Sequence, residues 1–368
     1  MELHILEASD PRWTETLRSL RHDIYQLPGY ASVEAERTGT VPEAILVSEG
    51  DNTLFIPYLL RSCNSLFPEC TIASQTTELY DAISPYGYPG LLLSESAVHT
   101  PDFPNLALQA VQQALQTKGV CSLFLRLHPL LNQEIERPFA PNTFTPTGRT
   151  VSIDLTLADA QIWNHTKPDH RNKINRCRQV GLTPRMVPVR DYLNSFIQIY
   201  QDTMRRVEAT TNYLEFDHTY FLHLHDVLGD MLHLCVVEQA DQVISAGFYT
   251  ECNGMVQAIF GGTLTNFLKL SPTTLETDYV RRWAKERGNQ WLHLGGGLGG
   301  AQDRLYEFKA RFSRQTHTFF TLQQVIHKFH YQELVNQRAQ ALQIQPELLL
   351  QSEFFPAYRA STAALQKL

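Results

Sequence analysis

The chain of 368 residues contains no Cys-x-x-Cys or Cys-x-Cys pair. Its six cysteines, at 63, 70, 121, 177, 235 and 252, are scattered. Such spacing predicts reduced thiols, with neither a disulfide framework nor a cysteine metal site. The fourteen histidines form no His-Glu-x-x-His motif. His223 and His225 alternate, and His327 and His330 stand three apart on an expected helix, so no metal site is expected. No run of 18 apolar residues exists, which excludes a helix spanning a membrane. The first ten residues, MELHILEASD, lack a basic stretch and an apolar core, so no signal peptide is expected. A cytoplasmic protein is the expectation, unless it docks on a membrane surface. Positive charge is also scarce. Lys and Arg number 31 against 38 Asp and Glu, a net charge of −7. That excludes polyanion binding through bulk charge, leaving only local nucleic-acid contacts and no expected DNA partner. Finally, no Gly-x-Ser-x-Gly and no Gly-x4-Gly-Lys-Ser/Thr occurs. Hydrolase and P-loop readings therefore lack support.

What is present is an ordinary globular composition, 43% hydrophobic and 10% aromatic. That is enough apolar area for a real core without disulfides or metals. The length suits two domains.

The most informative stretch is Leu294–Phe312, LGGGLGGAQDRLYEFKARF. A short apolar strand, Trp291–Leu294, runs into five glycines within six residues and then into an amphipathic helix. Leu305, Phe308 and Phe312 form a stripe at i, i+3, i+7, and at about 100° per residue Lys309 falls inside it. A lysine on a core-facing stripe must be paired, snorkelled or functional, because burying a lone ammonium costs several kcal/mol. The glycines allow close backbone approach and can present N–H groups to an anion. Together they indicate a site where negative charge sits or develops. The plainer alternative is a strand-to-helix turn with a snorkelling lysine.

In the second half, Leu193, Phe196, Ile197, Tyr200 and Met204 make a helical stripe, and a short helix follows near Thr219–Leu228. Three strands are expected at Met231–Val237, Val243–Thr250 and Met255–Phe260. Ser271-Pro272 reads as an N-cap with proline at N1, opening a helix to about Gly288. The order is α-α-β-β-β-α-β-α-β. The first half is a fainter copy. Ala44–Val47 and Thr53–Leu59 make a hairpin across Glu49-Gly50-Asp51, a strand lies near Gly90–Leu93, a helix at Asn105–Thr117 and a strand at Val120–Leu127. The β-β-β-α-β order thus occurs twice. The expected fold is α/β, with two tandem domains, each a mixed, mostly antiparallel sheet flanked by helices. Their limits are residues 1–148 and 149–325, meeting near the proline-rich PFAPNTFTPTG. Residues 326–368 form a helical tail, including FFPAYR, that packs back on the body or stays partly mobile.

Other constellations carry two readings each. Lys167, Arg171, Lys173, Arg176 and Arg178 place five cations within twelve residues. They fit either a phosphate contact or a solvated helix face, with Ile174 and Cys177 buried. Ser84-Pro85-Tyr86-Gly87-Tyr88-Pro89-Gly90 is a rigid aromatic loop that either lines a cleft with Tyr86 and Tyr88 or packs them on the core. Phe260-Gly261-Gly262-Thr263 ends a strand, as a ligand-lining edge or as a plain turn.

β-β-β-α-β is the middle of the GNAT acyltransferase fold, and two copies in one chain resemble the Fem-type acyltransferases. The likeness extends to LGGG at 294–297 followed by Asp303-x-Leu305-x-x-Phe308-Lys309-x-x-Phe312. It includes Ser271-Pro272, Trp283-Ala284, Gly288, HRNKINRCRQVG at 170–181, Tyr200-x-x-Thr203, Tyr213-x-x-Phe216 and DAISPYGYPGLLL at 81–93. The resemblance implies transfer of an acyl group to an amine, from aminoacyl-tRNA in some members and from acyl-CoA in others. It implies that Lys309 stabilises the oxyanion of the tetrahedral intermediate or the departing oxygen. Arg171, Lys173 and Arg176 would contact phosphates of the tRNA acceptor end. Asp81, Tyr86, Tyr88, Phe260, Thr263, Asp303 and Phe308 would bind substrate. Two departures stand out. Fem enzymes tend to carry an acidic residue shortly after the Gly-Pro step, whereas Pro89-Gly90 here precedes Leu-Leu-Leu-Ser, leaving Asp81 as the nearest acid. The Arg/Gln-x-x-Gly-x-Gly/Ala loop that holds coenzyme A in ordinary GNAT enzymes does not occur between the third strand and the next helix of the second half, residues 261–272; its spacing appears only at Gln26-x-x-Gly29-x-Ala31. These features tilt the expected donor to aminoacyl-tRNA with no resident cofactor, and leave acyl-CoA as the alternative. The amine acceptor would be peptidoglycan-precursor-like, a polysaccharide or a small metabolite. A non-catalytic binding module is the rival from another class.

Overall fold

Gly50, at φ 57°, turns the chain between β2 (Val41–Glu49) and β3 (Asn52–Ser62), as the Glu49-Gly50-Asp51 signal requires. Nine residue pairs, from Val41↔Leu60 to Glu49↔Asn52, hold this hairpin. The computed structural model describes residues 1–66, 78–207, 216–352 and 354–361. Cys70 and Tyr213 lie outside the described residues. The chain divides into two units, one of Met1–Arg21, Glu34–Pro146 and Phe320–Leu368, the other of His22–Val33 and Thr147–Phe319.

In the first unit β1 (Glu2–Glu7) pairs with β2, and β3 pairs with β4 (Tyr80–Ile83). β4 runs parallel to β6 (Val120–Arg126), and the short β5 (Leu92–Leu93) pairs with β3. The last strand, β13 (Gln315–Val325), joins β6 antiparallel through Thr321–Val325. Helices α1 (Pro11–Ser19), α2 (Pro28–Thr38) and α3 (Glu95–His99) precede α4 (Phe103–Thr117). On α4, Phe103, Ala107, Leu108, Val111 and Leu115 repeat at helical spacing and pack against Ile45, Ile56 and Leu125 of the sheet. Each such aliphatic side chain contributes about 1.5–3 kcal/mol when fully buried.

The tail folds into this same unit. Tyr331, Leu334 and Val335 of a helix at Lys328–Leu342 pack with Leu349 and Tyr358 against Cys63, Leu79 and Cys121. The Tyr358 hydroxyl lies 2.7 Å from Ser122 Oγ.

The second unit repeats the order. It has α5 (Asp159–His165), α6 (Pro168–Gln179), β8 (Thr183–Val187), α7 (Val189–Arg206) and α8 (His218–Leu228). Then come β9 (Leu232–Gln239), β10 (Gln242–Cys252), β11 (Met255–Thr263), α9 (Pro272–Glu286), β12 (Trp291–Gly296) and α10 (Arg304–Ala310). β8, β9, β10 and β11 are antiparallel neighbours, β11 and β12 are parallel, and β12 pairs antiparallel with β7 (Thr145–Asp154). Both units therefore share a β-β-β-α-β core, β2-β3-β4-α4-β6 and β9-β10-β11-α9-β12, in which the last strand runs parallel to the third, and the first unit inserts the short β5 and α3. β1, β4, β7, β8 and α1, α2 are elements that sequence periodicity did not single out. Two local expectations change. Ser271 sits at the N-cap of α9 but in the left-handed region, and its side chain makes no cap bond. On α7 the buried positions are Val189, Leu193, Phe196, Ile199 and Tyr200, with Ile197 only half-buried.

Candidate active site

The parallel contact between β11 and β12 is three pairs long, from Met255↔Trp291 to Gln257↔His293. Beyond it each strand keeps its other partner: β11 stays with β10 to Thr263↔Ser245, and β12 stays with β7 to Gly296↔Thr150. The two strands thus part into a wedge. It opens at a bulge, because Phe248 faces Phe260 and Tyr249 faces Ala258, leaving Ile259 without an opposite residue on β10. Backbone groups of Ala258–Thr263 and Leu294–Gly296 that a continuous sheet would pair line this wedge.

Lys309 stands on the β12 lip. Its Nζ donates to the Gly296 carbonyl at 2.7 Å, and a Cβ on Gly295 would lie 3.3 Å from that nitrogen. Burial pushes the ammonium pKa down to about 8, opposed by the charge of Asp303. The helix that carries it differs from the expected one. α10 has only seven residues, so Phe312 lies past its end, and Leu305 is 41% exposed. Tyr306 is buried, and Phe308, Lys309 and Ala310 are partly buried, with Phe308 and Ala310 packed on the core and Phe312 buried just past the helix end, which keeps Lys309 on the core side.

Asp303 is the N-cap of α10. Its carboxylate accepts the N–H of Tyr306 at 2.9 Å and of Leu298 at 3.0 Å. Burial acts to raise its pKa, but these backbone bonds and the nearby lysine outweigh it and hold the carboxyl below its usual range. A Cβ on Gly297 would meet Asp303 Oδ1 at 2.3 Å, so the glycine run is what lets the loop close over the cap. The anion expected at this helix start is the protein's own.

His170 ties α6 to this helix. It is buried, its Nε2 lies 3.1 Å from the Phe308 carbonyl, and its ring meets Phe308 and Phe312. Arg311 pairs with Asp169 at 2.5 Å, and the Lys167 N–H donates to the Arg311 carbonyl. On α6, the side chains of Arg171 and Arg176 carry no hydrogen bond or ion pair among the described residues, and Lys173 Nζ lies 4.0 Å from Asp169. Arg178 is committed elsewhere, to Asp278 at 2.5 Å.

Phe260 and Thr263 edge the wedge through their backbone, while both side chains turn away from it. The Phe260 ring packs among Tyr200, Phe216, Tyr220 and Phe221. Thr263 Oγ1 donates to Ser245 Oγ at 3.1 Å and lies 2.8 Å from Thr273 Oγ1. Behind this strand, the Thr263 N–H donates to Thr203 Oγ1 at 3.2 Å, and Arg206 donates to the Thr263 carbonyl at 3.0 Å. Gly262 permits that contact, since a Cβ there would lie 2.3 Å from Thr203 Oγ1.

Asp81, Tyr86 and Tyr88 belong to the first unit. Asp81 is buried, with Oδ1 accepting from Arg61 at 2.6 Å and Oδ2 accepting from Arg359 and Tyr358. Its carboxylate is neutralised by two guanidinium groups, which fits an internal ion pair better than an amine receptor. Tyr86 and Tyr88 are half-buried in a loop knitted by Arg126, which donates to the carbonyls of Ser84, Pro85 and Gly87.

Sequence reasoning did not single out Glu276, Ser245, Gly247 or Tyr249, which meet on one face of the second sheet. The signal was there: Ser245, Gly247 and Tyr249 alternate along a strand, and Glu276 interrupts the apolar face of α9.

Residues 164–310 match the family described as Acetyltransferase (GNAT) domain. No curated protein matches the sequence. Among solved structures, FemX superposes with a TM-score of 0.67 at 12% identity, over 90% of this chain and 99% of that one. L-PGS from Bacillus licheniformis superposes at 0.51 with 12% identity, over 86% and 91%. A conserved protein of unknown function from Bacteroides thetaiotaomicron superposes at 0.54 with 11% identity, over 87% and 98%. At these identities the likeness to solved structures is one of fold. No helix among the described residues is long and apolar enough to cross a membrane.

Proposed function

We propose that the chain, whose residues 164–310 match an acetyltransferase (GNAT) domain and whose fold is similar to that of FemX, is an acyltransferase that moves an aminoacyl group from aminoacyl-tRNA to a substrate amine. The observation that carries this reading is Lys309, an inward ammonium bound to the last carbonyl of β12 where the sheet parts. An acyl ester seated in the wedge would present its carbonyl to backbone N–H groups of β11. The amine attacks that carbonyl carbon, the C=O electrons move to oxygen, and the ammonium of Lys309 stabilises the charge there or on the departing ribose oxygen. Collapse breaks the ester bond, and the amine proton ends on the ribose hydroxyl. Alignment of ester and amine supplies the rest of the acceleration.

Two features favour the tRNA donor. The segment between β11 and α9, residues 264–271, lacks the Arg/Gln-x-x-Gly-x-Gly/Ala spacing of a coenzyme A pyrophosphate loop. Arg171 and Arg176 are unpaired among the described residues, on a helix anchored to α10 by His170, where they could meet phosphates. A tRNA donor places the reaction in the cytoplasm. The acceptor would be a peptidoglycan-precursor-like amine or a small biosynthetic amine. The GNAT match favours a second reading, in which the same wedge takes an acyl-CoA thioester.

Thermal shift with an aminoacyl-tRNA pool and with acetyl-CoA at low salt separates the two. Stabilisation by tRNA alone, abolished in Arg171→Ala/Arg176→Ala, is the expected result. Stabilisation by acetyl-CoA alone moves the chain to the thioester donor. No shift with either favours a binding module.

A further inference from the structure

Glu276 is a carboxylate with only 2% of its surface exposed, and no cation contacts it among the described residues. Its partners are hydroxyls: the Ser245 hydroxyl, shared with the Gly262 carbonyl at 2.9 Å, donates to Oε2 at 2.8 Å, and Tyr249 donates to Oε1 at 2.9 Å. β10 makes room for it, since a Cβ on Gly247 would stand 2.2 Å from Oε1. A buried carboxylate without a counter-charge costs several kcal/mol, a cost that a neutral amide would not carry.

The hydroxyls around it form a line. Thr263, the last residue of β11, donates to Ser245 at 3.1 Å, and Ser245 donates to Glu276. With that order fixed, Thr273, 2.8 Å from Thr263, donates to Thr263 and keeps its own oxygen lone pairs open. Thr273 is half-exposed in the first turn of α9, so the line runs from the end of the wedge strand to the buried carboxylate.

We propose that Thr273, Thr263 and Ser245 relay the proton of the attacking amine to Glu276. This rests on the acyl-transfer reading above. As the amine nitrogen bonds to the acyl carbon, its proton passes to Thr273 Oγ1, the Thr273 proton to Thr263, the Thr263 proton to Ser245 and the Ser245 proton to Glu276 Oε2. When the acyl carbon–oxygen or carbon–sulfur bond breaks, the proton returns along the line to the leaving atom. No co-reactant is needed, and Glu276 ends as it began. Lys309 handles developing negative charge while Glu276 holds the proton between the two steps. Burial raises the Glu276 pKa to about 7, opposed by the Ser245 and Tyr249 bonds, which suits a group that must both take and release a proton. The other titratable groups facing it are Tyr249 from β10 and Cys235 from β9, both pushed up by burial and neutral at that pH.

The test uses the full chain and two readouts. In the first, transfer to a simple amine is followed against pH with the aminoacyl-tRNA pool and with acetyl-CoA. Expected is an acid limb near 7 that disappears in Glu276→Gln, with turnover down on the order of 10²-fold and KM little changed. Thr263→Val should match it and Thr263→Ser should recover. An unchanged limb and rate in folded Glu276→Gln overturns the relay. The second readout needs no substrate: carbon-13 NMR of labelled glutamate carboxyls, assigned by Glu276→Gln. Relay predicts that Glu276 titrates with fast proton exchange, slowed in Thr263→Val. No titration between about pH 5 and 9, or equal exchange in both proteins, also overturns it. Failure of both donors to support transfer counts against the acyl-transfer reading, and the exchange result then decides the relay by itself.

Discussion

The Lys309 ammonium rests 2.7 Å from the carbonyl oxygen of Gly296, the last residue of the strand that leaves its parallel neighbour three pairs after they meet. One hydrogen bond thus holds a partly desolvated cation at the mouth of the wedge. The strand end and the short helix are joined by the residue to which the proposed mechanism gives the oxyanion.

Removing that cation should cost turnover and leave the fold. Lys309→Met is expected to lower kcat on the order of 10²-fold, the scale of one oxyanion donor. Circular dichroism and melting should show a folded protein. Full activity in this variant would remove Lys309 from the mechanism.

The lowered Lys309 pKa sets an alkaline limit. Its ammonium must be present to stabilise the oxyanion, so transfer should decline as pH rises through about 8, well below an ordinary lysine. Lys309→Arg, though slower, should hold its rate to higher pH. On stability, the depressed pKa means the folded state releases this proton first. Its contribution is present above the unfolded value of 10.5 and lost as pH falls through about 8. Lys309→Met should therefore melt higher than the wild type at pH 7.

Glu276 has the opposite sign. Its pKa is raised from 4.5 to about 7, so the folded state holds the proton longer. Stability from this group is fully present below 4.5 and lost as pH rises through about 7. Glu276→Gln should be more stable than wild type by about 3 kcal/mol at pH 8, with the difference fading toward pH 5. Denaturant unfolding at the two pH values measures it.

Gly262→Ala should destabilise by about 1–3 kcal/mol, because the added Cβ meets Thr203 Oγ1 and the neighbour is a packed helix. Adding Thr203→Ala should recover part of that loss, whereas an unrelated clash would not respond.

If the donor is tRNA, Arg171→Ala/Arg176→Ala should weaken binding of all aminoacyl-tRNAs alike. The slope of log affinity against log salt should fall by about 2, one for each phosphate that is no longer neutralised. Filter binding across a salt series reads both.

Much of the second unit was legible along the chain. Strand periodicity marked β9, β10 and β11, Pro272 marked the start of α9, and the glycine run marked the turn before α10. Lys309 was legible because a lysine among apolar positions is costly wherever it points. Of the expected stripe, Phe308 and Phe312 do pack on the core, while Leu305 is exposed and the helix ends at Ala310, before Phe312. The cations of α6 were visible as a cluster, but charge patterning could not tell Arg178, spent on Asp278, from Arg171 and Arg176.

Periodicity and turn chemistry depend on neighbours within one element, so the chain itself determined the β-β-β-α-β order, the hairpin at Gly50 and the inward lysine. Where the carboxyls of Asp81 and Asp303 point, and which hydroxyls meet Glu276, depend on residues brought together from different elements. Only the packing of α9 on β10 brings Glu276 to Ser245 and Tyr249, and only the parting of β11 from β12 gives Lys309 something to face. Those are pairings across elements, set by the sheet register and the bulge at Ile259, and the tertiary structure alone decided them.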